Sequence, residues 1–278
     1  MKNMPIKLSY SHYFKEKLYH FLKRKGYSDK NLLLLFSNDC IKVNSKIIKD
    51  KNYLLPFKKV KIEVSLCEEY SSLPLYKDNL NILFEDDYLM VIDKPFNMDI
   101  EPTKANYKDN LACRILNYYN ENKIFSKIHF VNRLDKMTSG LVIVAKNQYI
   151  HHLFSKVKIK KYYFAKVEGK TSKKGKIQIR IKKSLDSIKR IVSPEGKKCI
   201  TKYKRLHYDG KQSLVKINLL TGRTHQIRVS FAYIHHPLVA DPLYNMAFTN
   251  DQFFLRAYQI SFIHPITKKY IHLKSKKK

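Results

Sequence analysis

The chain has 278 residues, enough to bury a full core and to hold one large domain with a small one beside it. Lysine and arginine number 55 against 23 aspartates and glutamates, a net charge of +32, which favours a polyanionic partner: nucleic acid first, an anionic membrane second. No apolar run reaches spanning length and no signal-peptide core opens the chain, so a soluble, cytoplasmic monomer without membrane attachment is expected.

Cys40, Cys67, Cys113 and Cys199 form no C-x-x-C pair, so neither a zinc site nor a disulfide framework is expected. The 20 tyrosines and 15 phenylalanines offer faces on which bases can stack. An A+T-rich coding sequence would also raise the lysine and tyrosine content, so the charge selects a class of partner and nothing finer.

In chain order, Leu8, Tyr10, Tyr13, Phe14, Leu18, Phe21, Leu22 and Leu32 to Phe36 predict two or three short helices over residues 8–37. Lys15, Lys17, Lys23, Arg24 and Lys25 give them a basic face. Residues 41–48 (IKVNSKII) read as two short strands about an Asn-Ser-Lys turn, and Val60 to Val64 as another strand. This unit, residues 1–66, resembles an S4-type RNA-binding domain, with Asp39 to Ile41 and Ser45 standing where glycines are usual. Residues 67–78, polar with Ser71, Ser72 and Pro74, read as a linker to a domain spanning 79–278.

Beyond the linker, Ile82 to Phe84 and Leu89 to Ile92 read as strands split by an acidic turn, and Lys94-Pro95 ends the second. Residues 109–122 predict a helix, Leu141 to Ala145 a strand buried on both faces, and 147–157 a further helix. In a strand at 161–169, Tyr163, Ala165 and Val167 share one face and Tyr162, Phe164 and Lys166 the other. Residues 156–190 hold 14 basic residues against Glu168 and Asp186. Tyr203 to Leu220 predicts a hairpin turning at Asp209-Gly210, and Thr224 is the expected N-cap of a helix after the Gly222 turn. Asp241-Pro242 and His264-Pro265 read as punctuation, and four lysines among the last five residues as a solvated tail. Many short strands and few helices predict an α+β body with a mixed, mostly antiparallel sheet.

Two stretches carry chemistry. Residues 133–140 (RLDKMTSG) resemble the R-L-D-x-x-T-S-G signature of RluA-type pseudouridine synthases, and residues 221–228 (TGRTHQIR) resemble the second hallmark of that family. The stretches ILFEDDYLMVIDKP and KKYYFAKVEG extend the likeness from about Leu80 to His272. The resemblance implies a catalytic domain of pseudouridine synthase type that isomerises uridine to pseudouridine within an RNA, without cofactor or metal. It implies Asp135 as the carboxylate that attacks the nucleotide at C1′ or C6, or stabilises charge there. Arg228 matches the basic residue that pairs with it, and Tyr163 the active-site tyrosine, a base-stacking platform before a proton carrier.

Arg133 is expected to brace the RNA stack as the target base leaves, with Thr138, Arg223 and Lys161 as further RNA contacts. Blander roles stand beside these. Alone, Asp135 reads as a salt-bridge acid and Tyr163 as a core ring, and Arg223, Thr224 and His225 read as turn-capping residues. His151-His152 and His235-His236 lack a completing set of ligands, so no metal is expected. Asn132, Ser230 and Arg256 stand where histidines are frequent in the family, and Glu101 lies near another. The expected substrate is ribosomal RNA, most readily that of the large subunit. Transfer RNA, or an inactive RNA-binding or ribosome-assembly role on the same fold, are the alternatives.

Overall fold

A computed structural model describes residues 6–66, 68, 73–246 and 251–275. Much of the expected linker, Cys67 and the tail beyond Ser275 lie outside the described residues. The chain packs as two units. One comprises Met1–Val91, Lys104–Asn132 and Ile143–Val157, the other Ile92–Thr103, Arg133–Val142 and Lys158–Lys278.

The first unit opens with a strand where a helix was expected: β1, Ile6–His12, buries Leu8 and His12 and pairs along its length with a later strand. Ile6, Leu8 and Tyr10 alternate with polar residues as a strand requires, and pairing with a distant strand fixes that choice. The pair β2 (Glu16–Lys17) and β5 (Leu54–Leu55) flanks α1 (Leu18–Arg24). Helix α2 (Asp29–Ser37) is capped by Ser28, whose hydroxyl accepts from the Asn31 N–H at 3.2 Å. Strands β3 (Ile41–Val43), β4 (Lys46–Ile47) and β6 (Val60–Leu66) complete a sheet in the order β1-β6-β3-β4.

The β3–β4 turn manages without glycine. Asn44 and Ser45 take left-handed φ values of 46° and 69°. The Asn44 Oδ1 accepts from the Lys61 N–H at 2.8 Å, fixing the turn to β6.

The same unit contains β7 (Ile82–Glu85), the first half of β8 (Leu89–Lys94), α3 (Leu111–Glu121), β9 (His129–Phe130), the second half of β10 (Ser139–Ala145) and α4 (Gln148–Leu153). The N-terminal elements are fastened to α4. Tyr27 stacks on Tyr149 with ring centroids 4.0 Å apart, and the Tyr149 hydroxyl donates to the Lys25 carbonyl at 2.7 Å. Glu68 accepts from the Gln148 and Lys127 N–H groups at 2.6 and 3.0 Å and meets His129 Nε2 at 2.8 Å.

In the second unit, β11 (Lys160–Glu168), β12 (Lys174–Lys183), β13 (Arg190–Val192), β14 (Lys197–Tyr208), β15 (Gln212–Leu219), β16 (Leu255–Ile263) and β17 (Tyr270–Lys274) are accompanied, among the described residues, by one helix, α5 (Gln226–Tyr233). The hydrogen-bonded order is β13-β12-β14-β15-β11-β16-β10, with β17 also on β16. The sheet is mixed and mostly antiparallel, as expected; β10 and β16 run parallel through Ser139–Arg256 and Gly140–Ala257. One face is apolar: Ile177, Ile179, Ile181 and Cys199 pack with Val229 of α5. Strand β10 is buried throughout. Gly140 lies at φ +113°, and a Cβ there would strike the Ala257 backbone, so the glycine of the first motif lets β10 lie against β16. No helix among the described residues is long and apolar enough to cross a membrane.

Candidate active site

Asp135 sits in the turn that leads into β10, and two features hold that turn. The Thr138 N–H donates to the Asp135 carbonyl at 2.9 Å. Lys94, at the end of β8 with no accessible surface, donates its ammonium to the carbonyls of Pro95, Met98 and Lys136 at 3.0, 2.8 and 3.0 Å. The Met98 N–H donates to the Lys136 carbonyl at 3.2 Å, so the loop carrying Asp135 is stitched to residues 95–98. Burial pushes the Lys94 amine down to about 8, against the opposing pull of Asp99 and Asp135.

The side chain of Asp135 is 28 % exposed and meets two groups from the second motif, Arg228 Nη1 at 3.8 Å and His225 Nε2 at 3.9 Å. Neither distance is a hydrogen bond, and among the described residues none is made to the Asp135 carboxylate oxygens. Its lone pairs are therefore available to a ligand. Arg228 is gripped elsewhere: Nε and Nη2 donate to the two oxygens of Asp241 at 2.8 and 2.6 Å. Burial opposes the Arg228 charge, and the Asp241 carboxylate outweighs it, holding the guanidinium above its ordinary value. Asp241 is held in turn by the N–H groups of Leu243 and Tyr244 at 2.9 and 3.2 Å.

The start of α5 differs from expectation. His225, not Thr224, occupies the N-cap position, in a left-handed conformation at φ 55° and without a side-chain cap. Its ring instead meets the Tyr244 hydroxyl through Nδ1 at 2.9 Å, and burial pushes the imidazole down although Asp135 pulls it up. Gln226 supplies the local order. Its carbonyl oxygen accepts from the Thr221 hydroxyl and the Arg223 N–H at 2.9 and 3.1 Å, and its amide donates to the Ile200 carbonyl and Thr201 hydroxyl at 3.2 and 3.1 Å.

Tyr163 projects from the apolar face of β11; burial first, and then the Asp135 charge, push its phenol well above the ordinary value. Asp135, Tyr163, Arg228, Arg133, Thr138 and Arg223 line one cleft, with Leu134, Leu219, His225, Gln226, Ile227 and Leu255. Lys161 is not among its lining residues. It is partly buried beside Gly222, and burial pushes its amine down. Arg133 is exposed and pairs with Glu101 at 3.3 Å. Among the described residues no three His, Cys, Asp or Glu side chains converge as metal ligands do.

The chemistry of the site is thus an accessible carboxylate facing an anchored cation in a cleft that a buried ring also lines. The sequence profile of the RNA pseudouridylate synthase family matches residues 88–233, more than half the chain. The chain belongs to the RNA pseudouridine synthases. Members of this family are isomerases acting on RNA, and the synthase described here is 35 % identical over 251 residues to an uncharacterized RNA pseudouridine synthase of Mycoplasma genitalium, an alignment covering 84 % of this chain and 80 % of that one. It is 34 % identical over 218 residues to the ribosomal large subunit pseudouridine synthase D of Zymomonas mobilis, covering 69 % and 67 % of the two chains. With the yeast mitochondrial tRNA pseudouridine(32) synthase it shares 34 % over 182 residues, which are 62 % of this chain and 38 % of that one. Human RNA pseudouridylate synthase domain containing 1 has the same fold at a TM-score of 0.58 and 21 % identity, over 73 % of this synthase and 86 % of the human chain.

Three functional side chains escaped the sequence reading. Lys94 and Asp241 each precede a proline and read as breaks in a strand or loop, and Gln226 is an unremarked position inside the second motif. A buried charge at such a break is the signal that would have marked the first two.

Proposed function

We propose that the synthase isomerises uridine to pseudouridine in ribosomal RNA, with that of the large subunit as first candidate, through Asp135. The observation that carries this is the unbonded Asp135 carboxylate facing Arg228 Nη1 at 3.8 Å at the rim of a cleft walled by Tyr163. The target nucleotide leaves its stack to enter, at a cost of a few kcal/mol that Arg133 offsets by bracing the vacated position. Asp135 attacks at C1′ or C6, or stabilises charge there. The N1–C1′ bond breaks with its electron pair leaving on the uracil, the uracil turns, and a C5–C1′ bond forms; any bond from Asp135 to the nucleotide breaks to return the free carboxylate, the C5 proton moves to solvent or a nearby base, and N1 takes up a proton. Arg228 sets an opposite charge beside the carboxylate in the cleft, and Tyr163 stacks on the uracil. Thr138, Arg223 and Lys161 steady the flanking RNA.

Residues 1–66 act as an S4-type RNA-binding module, the helices α1 and α2 presenting Lys23, Arg24 and Lys30 beside a small sheet. Domain bounds at 66 and 79, a monomeric state and a cytoplasmic site of action belong to the same reading. The likeness to a relative named for tRNA supports a second reading, the same chemistry on transfer RNA. Mapping pseudouridine across ribosomal and transfer RNA from cells lacking the gene tests both. Loss at a large-subunit uridine, restored by wild type and not by Asp135→Asn, is expected. Loss confined to transfer RNA selects the second reading, and an unchanged map contradicts both.

A further inference from the structure

The sheet of the second unit has a second face. Tyr163, Ala165, Ile177, Ile179, Cys199 and Val215 point toward the apolar side, so the residues alternating with them point the other way. On that side β12 and β14 set Lys174 opposite Lys204, Lys176 opposite Lys202, and Arg180 opposite Lys198. All six are exposed, and among the described residues none lies within ion-pairing reach of a carboxylate. Lys204 is also opposite Lys216 of β15, giving a row of three lysines across three strands. Like charges directly opposite each other weaken a sheet, so this arrangement is a liability until an anion covers it.

The row continues into aromatic rings. Lys216 is opposite Phe164, Phe164 stacks on Tyr258 with centroids 3.9 Å apart, and the Lys216 ammonium lies over the Tyr162 and Tyr258 rings at 4.9 and 5.5 Å. The Lys174–Lys204 and Lys176–Lys202 pairs lie about 6.8 Å apart along the strands, the Gln178–Ile200 pair separates them from Arg180–Lys198, and the row across the strands ends at partly buried rings, a pattern that matches a backbone with stacked bases rather than a duplex.

We propose that this face binds a single-stranded segment of the substrate RNA, phosphates along the β12–β14 lysines and a base against the Phe164–Tyr258 pair. The segment lies on the side of the sheet opposite Asp135, so a long RNA is held at two places at once. The inference rests on the proposed action on a long RNA.

The test uses the full chain and a fluorescein-labelled oligouridine of about 20 nucleotides, its affinity followed by anisotropy across salt concentrations. The combined Lys174→Gln, Lys176→Gln, Lys202→Gln, Lys204→Gln protein is expected to bind at least tenfold more weakly, with a salt slope shallower by about 3, from about 0.7 per lost phosphate contact. Its turnover at saturating ribosomal transcript stays at the wild-type level while KM rises. Phe164→Leu is expected to weaken oligouridine binding and leave the salt slope unchanged. Wild-type affinity and slope in the quadruple variant, with its far-UV spectrum intact, overturn the proposal, as does equal binding of a matched duplex. If wild type modifies no RNA yet the quadruple variant still loses oligouridine, the proposed function fails and this face stands.

Discussion

Arg228 gives two nitrogens to Asp241, at 2.8 and 2.6 Å, and turns the third toward Asp135 at 3.8 Å. The carboxylate that orients the guanidinium has no accessible surface, while the carboxylate that the guanidinium serves stays open to the cleft. An arginine bound in bidentate fashion by a buried acid cannot swing to quench the reactive one. Removing the anchor therefore should release Arg228 onto Asp135.

Asp241→Ala leaves a buried guanidinium without its partner and is expected to destabilise the protein by about 3–5 kcal/mol in urea unfolding. Asp241→Asn retains an acceptor and should fold. Its single-turnover rate is expected to fall at least tenfold with RNA affinity unchanged. A wild-type rate in Asp241→Asn would show that Arg228 needs no such anchor.

Lys94 gives a prediction in pH. Its amine is pushed from 10.5 down to about 8, so the folded state disfavours its charge. The cost is fully present below pH 8 and is relieved as pH rises from about 8 toward 10.5, so its contribution to stability rises over that window. The rise is at most about 3 kcal/mol, at about 1.36 kcal/mol per unit. Urea unfolding of wild type and Lys94→Met on either side of pH 8 should show the extra rise in wild type and not in the variant. Equal slopes would contradict the assignment.

What the sequence revealed and what it hid follow from the range of the interactions. The two eight-residue motifs were legible because each is a local device, a turn that aims Asp135 and a turn that starts α5. Gly140 was legible as a motif letter, though only the packing of β10 on Ala257 explains it. The Arg228–Asp241 pair was not, because 13 positions separate the partners across a loop with no periodicity. Strand β1 was missed for a similar reason, since its ladder partner β6 lies some fifty residues on.

Three of the positions that depart from the family pattern have structural partners. The Asn132 Oδ1 accepts from the Ile143 N–H at 2.8 Å, Ser230 meets the Thr201 hydroxyl at 3.1 Å, and Arg256 donates to Asp93 at 2.9 Å and to Ser275. Substitutions there act on the scaffold before they act on chemistry.

Tyr163 is expected to work as a neutral ring. Burial and the Asp135 charge raise its phenol above the ordinary value, so a phenolate is not populated near neutral pH. Tyr163→Phe should keep RNA affinity, and Tyr163→Leu should lose more turnover than Tyr163→Phe. A basic limb in the wild-type pH–rate profile that vanishes in Tyr163→Phe would assign the phenol a proton instead.

Glu68 ties the N-terminal elements to α4, and its acidity should show. Burial raises this carboxyl, but His129 and the Gln148 and Lys127 N–H groups outweigh burial and hold it below 4.5. The stabilisation is present above about pH 4.5 and is lost as pH falls through the lowered folded value. Thermal unfolding of Glu68→Gln should be less acid-sensitive than wild type in that range. An identical acid profile would remove Glu68 from the fastening.

The most direct test of the central claim is tritium release from a ribosomal transcript carrying 5-³H-uridine. Wild type is expected to release tritium, and Asp135→Asn to release none while binding the transcript with wild-type affinity. Release by Asp135→Asn at a rate near wild type would contradict the assignment of the chemistry to this carboxylate.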